Sequence, residues 1–169
     1  MDLYLLRHGE AAARDACLYP DDAQRPLTAA GKKQMGRIAK GMRRLGLDFD
    51  LILSSPYQRA RQTAAIVARE FGAGRLLESH EQLVPQAKVS GWIKEIQQKY
   101  DGLESLLLVG HDPFLSCLVS FLLAGTSEAF VSMKKAGLCK LEVARWRNGP
   151  CAVLKWLLTP QQIQRIAKG

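Results

Sequence analysis

Short apolar runs alternate with amphipathic stretches along this chain, and that order limits its fold more than any other feature. Asp2–Arg7 is an apolar run of strand length. Met35, Ile38, Ala39, Met42 and Leu45 then fall on one helical stripe, with Thr28 placed as N-cap and Gly46 as stop. Asp50–Ser54 reads as a second buried strand. A helix start follows, with Ser55 as cap, Pro56 at the first helical position and Gln58 completing a capping box. This helix runs to Phe71, before Gly72. Arg75–Glu78 fits a short strand, and Val89–Tyr100 a helix carrying Trp92, Ile93 and Ile96. Ser105–Val109 is the clearest buried strand, and Phe114–Ala124, apolar on nearly every face, a buried helix. Leu138–Trp146 and Cys151–Leu158 flank Arg147-Asn148-Gly149-Pro150, a hairpin signal. Thr159-Pro160-Gln161-Gln162 opens a final short helix. The repeated strand–helix order predicts an α/β fold, with helices on both faces of a mostly parallel sheet and an antiparallel edge hairpin. Residues 1–169 read as a single domain, without repeats or a linker-like stretch.

Composition removes several function classes. Hydrophobic residues make up 47% and charged residues 24%, an ordinary globular balance. No apolar run approaches the ~20 residues that span a membrane, and Met1–Leu6 lacks a basic leader. A cytoplasmic protein without a membrane partner is the expectation. Cys17, Cys117, Cys139 and Cys151 are scattered, which favours reduced thiols over disulfides or a zinc site. The net charge is +8, from 24 Lys+Arg against 16 Asp+Glu. No acid lies between Asp22 and Asp48, where seven bases do, and Lys33, Arg37, Lys40 and Arg44 line one side of the first helix. A solvated basic face is the simpler account, and a docking surface for an acidic phosphoprotein the sharper one. A nucleic-acid-binding module would use the charge too, but no zinc-finger or RRM pattern supports it.

Ligands of such sheets sit beyond the carboxyl ends of the strands. Arg7 and His8 follow the first strand, Ser55 and Arg59 the second, and His111 the run ending at Val109. A parallel sheet brings these residues to one edge. Guanidinium groups bind phosphate oxygens bidentately, and the start of the helix after Ser55 adds N–H donors. A neutral imidazole attacks phosphorus without first losing a proton. The second histidine, as a cation, would stabilise the transferring phosphoryl group, with no metal or cofactor required. His80, in a polar loop, reads as a surface histidine, and Trp92, Trp146 and Trp156 as core anchors.

Four segments together resemble the histidine phosphatase superfamily. They are Arg7-His8-Gly9-Glu10, Leu27-Thr28-Ala29-Ala30-Gly31, the stretch from Ser54 to Ala64 (Ser-Ser-Pro-Tyr-Gln-Arg-Ala-Arg-Gln-Thr-Ala), and Gly110-His111. Their order and spacing agree over nearly the whole chain, and the short length resembles the small phosphohistidine phosphatase (SixA-type) branch. The resemblance implies a three-layer α/β/α sandwich of the phosphoglycerate mutase type. It implies that His8 is phosphorylated, that Arg7, Arg59 and His111 form the phosphate pocket, and that water hydrolyses the phosphohistidine. Larger members add an acid that protonates a leaving alkoxide. Here Glu81, Glu78 and Asp112 are the options, none in a convincing family context. Imidazole is a better leaving group than an alkoxide, so a weak acid position favours a phosphohistidine protein as substrate over a small phosphomonoester.

Overall fold

The computed structural model describes residues 1–100 and 102–168. Six strands, β1 (Asp2–Arg7), β2 (Leu51–Ser54), β3 (Leu77–Ser79), β4 (Ser105–Gly110), β5 (Leu138–Val143) and β6 (Ala152–Leu158), form one sheet of order β3-β2-β4-β1-β5-β6. β1 to β4 are parallel; β5 runs antiparallel to β1, and β6 antiparallel to β5. This is the expected mostly parallel α/β sheet with an antiparallel edge hairpin.

The apolar runs lack a period of two because both faces of the sheet are covered. In β4, Leu106 and Leu108 join Trp92, Ile93 and Phe114 in one core. Leu107 and Val109 join Met35, Ile38 and Met42 in the other. β1 divides the same way, Leu3 and Leu5 against Tyr4 and Leu6. Helices α3 (Val89–Lys99) and α4 (Phe114–Ala124) cover the first face, and α1 (Ala29–Arg44), α2 (Gln58–Phe71) and α5 (Pro160–Ile166) the second. No helix among the described residues is long and apolar enough to cross a membrane.

The Thr28 cap forms, its hydroxyl accepting the Gly31 N–H at 2.9 Å, and Thr159 and Gln162 make a complete capping box. Ser55 does not cap α2. That helix begins at Gln58 with Tyr57 as its N-cap and no side-chain cap. The cause is that Ser55 prolongs the sheet: its N–H donates to the Val109 carbonyl at 2.9 Å. Two strand ends also move. Gly74–Leu76 is a 3-10 turn, so β3 starts only at Leu77. β5 stops at Val143, and Trp146 packs edge-on against Trp92 at 5.5 Å.

Register places the functional ends. Arg7 pairs with Gly110, and Ser54 with Val109. The residues that follow β1, β2 and β4 therefore emerge side by side at one sheet edge.

Candidate active site

His8 leaves β1 with its N–H still on the ladder, donating to the Gly110 carbonyl at 3.0 Å. Its Nδ1 lies 2.7 Å from the Gly9 carbonyl oxygen. A carbonyl only accepts, so Nδ1 carries a proton. Burial, and behind it the charges of Arg59, Arg7 and Lys135, hold the His8 pKa down at about 4 against the Gly9 bond that raises it. The ring is therefore neutral at pH 7, with its lone pair on Nε2. Gly9 is required by close approach: a Cβ there would stand 2.7 Å from Met35 Cγ. Thr63 of α2 clamps the turn, accepting the Gly9 N–H at 3.1 Å and donating to the Arg59 carbonyl at 2.8 Å.

Each pocket arginine is braced by an aspartate. Arg7 Nη1 donates to Asp112 at 3.0 Å and to the Met133 carbonyl at 2.5 Å, and Asp112 also receives the Ser116 hydroxyl at 2.6 Å. Arg59, on the first turn of α2, donates through Nη1 to the Asp22 carbonyl at 2.8 Å and through Nη2 to its carboxylate at 2.9 Å. Asp22 also meets Arg25 at 2.8 Å and Arg14 at 3.5 Å. Partial burial raises the Asp22 pKa, but Arg25 and Arg59 outweigh it and keep the carboxyl ionised. The Nε atoms of Arg7 and Arg59 are buried without a protein partner.

His111 follows β4 with its ring 4.9 Å from that of His8. Burial first, then His8 and the charge of Arg59, push its pKa down to about 2. The expected cation is thus corrected: in this site His111 is neutral, because burial and the charges of Arg59 and Arg7 disfavour a further cation. Its Nε2 lies 2.9 Å from Ser55 Oγ, which accepts the Tyr57 N–H at 3.3 Å. The hydroxyl has one proton and two lone pairs, so it can pair with either tautomer of His111, whose Nδ1 is a buried atom without a protein partner. Ser55 serves the site through this bond.

Arg7, His8, Arg59, His111 and Asp112 line one cleft of about 360 Å³, with Lys135 at its wall. Glu81 sits exposed on a 3-10 turn (Glu81–Leu83) and does not line the cleft. Glu78 lines a separate groove with Arg61 and Gln62, beside β3. His80 corrects the surface expectation: it is 6% exposed, accepts the Gln82 N–H through Nδ1 at 3.3 Å, and holds the turn that follows β3. Asp22, Thr63 and Lys135 were invisible in the sequence as site residues. Only the Asp22–Arg25 spacing, an i,i+3 ion pair, offered a signal. Among the described residues, no group of three His, Cys, Asp or Glu side chains is placed to share a metal.

The chain matches the histidine phosphatase superfamily (branch 1) model over residues 3–84. It is 36% identical over 145 residues to an uncharacterized protein of Picosynechococcus sp., covering 83% of this chain and 84% of that one. It is 25% identical over 163 residues to the phosphohistidine phosphatase SixA of Escherichia coli K12, covering 89% and 95%. Among solved structures, a protein histidine phosphatase SixA complexed with tungstate superposes with TM-score 0.82 at 24% identity, covering 95% and 98%. A putative α-ribazole-5'-P phosphatase of Escherichia coli K-12 superposes with TM-score 0.76 at 22% identity, covering 95% and 97%. The chain belongs to the histidine phosphatase superfamily, branch 1, as one of its phosphatases.

Proposed function

We propose that the protein is a phosphohistidine phosphatase that acts on a phosphorylated protein through a phosphoenzyme at His8. The His8 Nε2 lone pair attacks phosphorus, and the P–N bond of the substrate breaks. The substrate imidazole arrives protonated and so leaves neutral. Arg7 and Arg59 hold the non-bridging oxygens through charge-assisted bonds, and His111 donates from Nδ1. Water then attacks the His8 phosphoramidate and releases inorganic phosphate.

One observation carries the choice of substrate class. The single carboxylate lining the cleft among the described residues is Asp112, and both its oxygens are engaged, by Arg7 and by Ser116. With one oxygen on Arg7 and the other on the Ser116 hydroxyl, Asp112 is not free to deliver a proton to a leaving group. An alkoxide leaving group needs an acid; a protonated imidazole does not. The likeness to SixA of Escherichia coli supports the same reading. A small phosphomonoester is the competing substrate class, in keeping with the shape of the α-ribazole-5'-P phosphatase neighbour.

The test is a substrate panel run on wild type and His8→Ala. A protein phosphorylated on histidine with phosphoramidate should be turned over at a kcat/KM well above that for sugar phosphates and nucleotides. Acid-labile label should be trapped on the wild type and absent from His8→Ala. Preference for the phosphomonoesters would overturn the substrate assignment, and labelling that survives His8→Ala would overturn the nucleophile.

A further inference from the structure

We propose that Lys135 is a substrate-contacting cation of this cleft, supplying an incoming phosphoryl dianion with counter-charge beyond that of the two pocket arginines. The inference rests on the phosphoryl-transfer reading of the cleft and adds to it a residue outside the Arg7, His8, Arg59 and His111 set.

The loop before β5 is clasped to the end of the nucleophile's strand. Arg7 donates to the Met133 carbonyl at 2.5 Å, and the Arg7 N–H to the Gly137 carbonyl at 3.1 Å. The Ala136 N–H is shared between the carbonyls of Arg7 and His8, 3.1 Å to each. Ala136 is buried and holds φ +60, a left-handed conformation that a residue with a side chain adopts only where its surroundings over-determine it. Lys135, the residue before it, is therefore held by its backbone beside the end of the nucleophile's strand, with its exposed side chain at the wall of the cleft.

Charge accounting comes next. Five cations line the cleft: Arg7, Arg14, Arg25, Arg59 and Lys135. Arg7 is paired with Asp112, and Arg14, Arg25 and Arg59 share Asp22. Lys135 alone of the five has no carboxylate within ion-pair distance among the described residues. It is near enough to His8 to be one of the charges that lower its proton affinity. The braced arginines bind through the N–H groups their aspartates leave free, while Lys135 adds a charge that no carboxylate offsets. A lysine suits the task, since its ammonium is a compact point charge on a flexible stem and follows the oxygens as the group moves. It exchanges no proton. It stabilises the non-bridging oxygens while the substrate P–N bond breaks and the His8 Nε2–P bond forms, and again during hydrolysis.

Lys134 is the control that the sequence itself provides. Like Lys135 it is exposed and charged, but it does not line the cleft. Lys135→Met, Lys135→Arg and Lys134→Met should be compared with wild type by calorimetric titration with inorganic phosphate and by kcat/KM on a protein phosphorylated with phosphoramidate. Lys135→Met should lose about 10- to 100-fold in both, the worth of a charge-assisted contact. Lys135→Arg should recover most of the loss, and Lys134→Met should stay within about twofold, as for a screened surface charge. Equal losses in the two methionine variants would reduce the effect to the general field, and unchanged phosphate affinity in Lys135→Met would remove the contact; either overturns the proposal. Phosphate affinity is read without turnover. A wild type inactive on phosphohistidine would sink the proposed function, while a selective loss in Lys135→Met would still uphold the cation site.

Discussion

The cleft and the outer face of α1 are both crowded with positive charge, and they handle it in opposite ways. In the cleft, Arg59 has a side chain only 3% exposed and is locked to Asp22, while Arg7 is locked to Asp112. On α1, Lys33, Arg37, Lys40 and Arg44 are exposed, and none has a carboxylate partner among the described residues. The physical reason is solvation. A guanidinium taken out of water needs a matched anion, whereas an exposed ammonium is already satisfied by water. The net charge of +8 is thus two populations, one built into a site and one left in solvent. Mutations that remove a charge should cost much in the first region and little in the second.

The largest effect belongs to Arg59. Arg59→Ala should lower kcat/KM by at least ~100-fold, the usual cost of a preorganised donor to developing charge. It should also destabilise the fold by about 2–3 kcal/mol, less than for a fully buried pair because Asp22 keeps Arg25. Arg59→Lys should restore charge but little activity, since one ammonium cannot span both Asp22 contacts and the phosphate. Steady-state kinetics and urea unfolding check both statements. A variant as stable and active as wild type would erase the contrast with α1.

Acid should act next most strongly, and again through the cleft. All three histidines of the chain are buried with lowered pKa values, burial being the first cause in each: His8 to about 4, His111 to about 2, and His80 downward. Their folded pKa values lie below the unfolded value near 6.5. Below that pH the unfolded chain binds more protons, so stability falls as pH falls. The loss from His8 ends near pH 4, where its folded form protonates too; that from His111 continues toward pH 2. Each fully titrating histidine contributes about 1.4 kcal/mol per pH unit within its window. Urea unfolding at pH 7, 6 and 5 should show this slope, and His111→Ala should reduce it. A flat profile would mean that the cleft admits protons as freely as the surface does.

Asp22 is the milder probe of the same pairing. Asp22→Asn keeps an acceptor for Arg59 but removes the charge, and should cost about 1–2 kcal/mol of stability. If the carboxylate is a brace, affinity for inorganic phosphate falls because Arg59 loses its fixed position. A rise in affinity would mean that Asp22 competes with phosphate for Arg59.

That Arg7, His8, Arg59 and His111 share one cleft was legible in the sequence because each lies at or after the end of a strand, and a parallel sheet converts that local fact into proximity. The sheet itself was legible because runs such as Leu106–Val109 are apolar at every position and too short for a helix, as strands covered on both faces are. What stayed hidden depends on partners distant in sequence. Ser55 looks like a cap until its hydroxyl meets His111 across 56 residues. His80 looks like a surface residue until Glu95 and Tyr100 come to lie beside its ring. Lys135 is half of an ordinary Lys-Lys pair until Ala136 binds the carbonyls of Arg7 and His8.

The smallest expected effect lies on α1 and has the opposite sign. Arg37 stands four residues from Lys33 and three from Lys40, so it repels both across helical spacing. Arg37→Glu turns two like-charge pairs into attractions, each worth a few tenths of a kcal/mol, and should raise stability by about 0.5–1 kcal/mol at low salt. The gain should shrink in 1 M salt, where the Debye length falls to about 3 Å. Turnover of a phosphorylated protein should not change, because a solvated face contributes nothing to the cleft. A drop in kcat/KM for the protein substrate, with inorganic phosphate binding intact, would make this helix a docking surface and move part of its charge from the second population to the first.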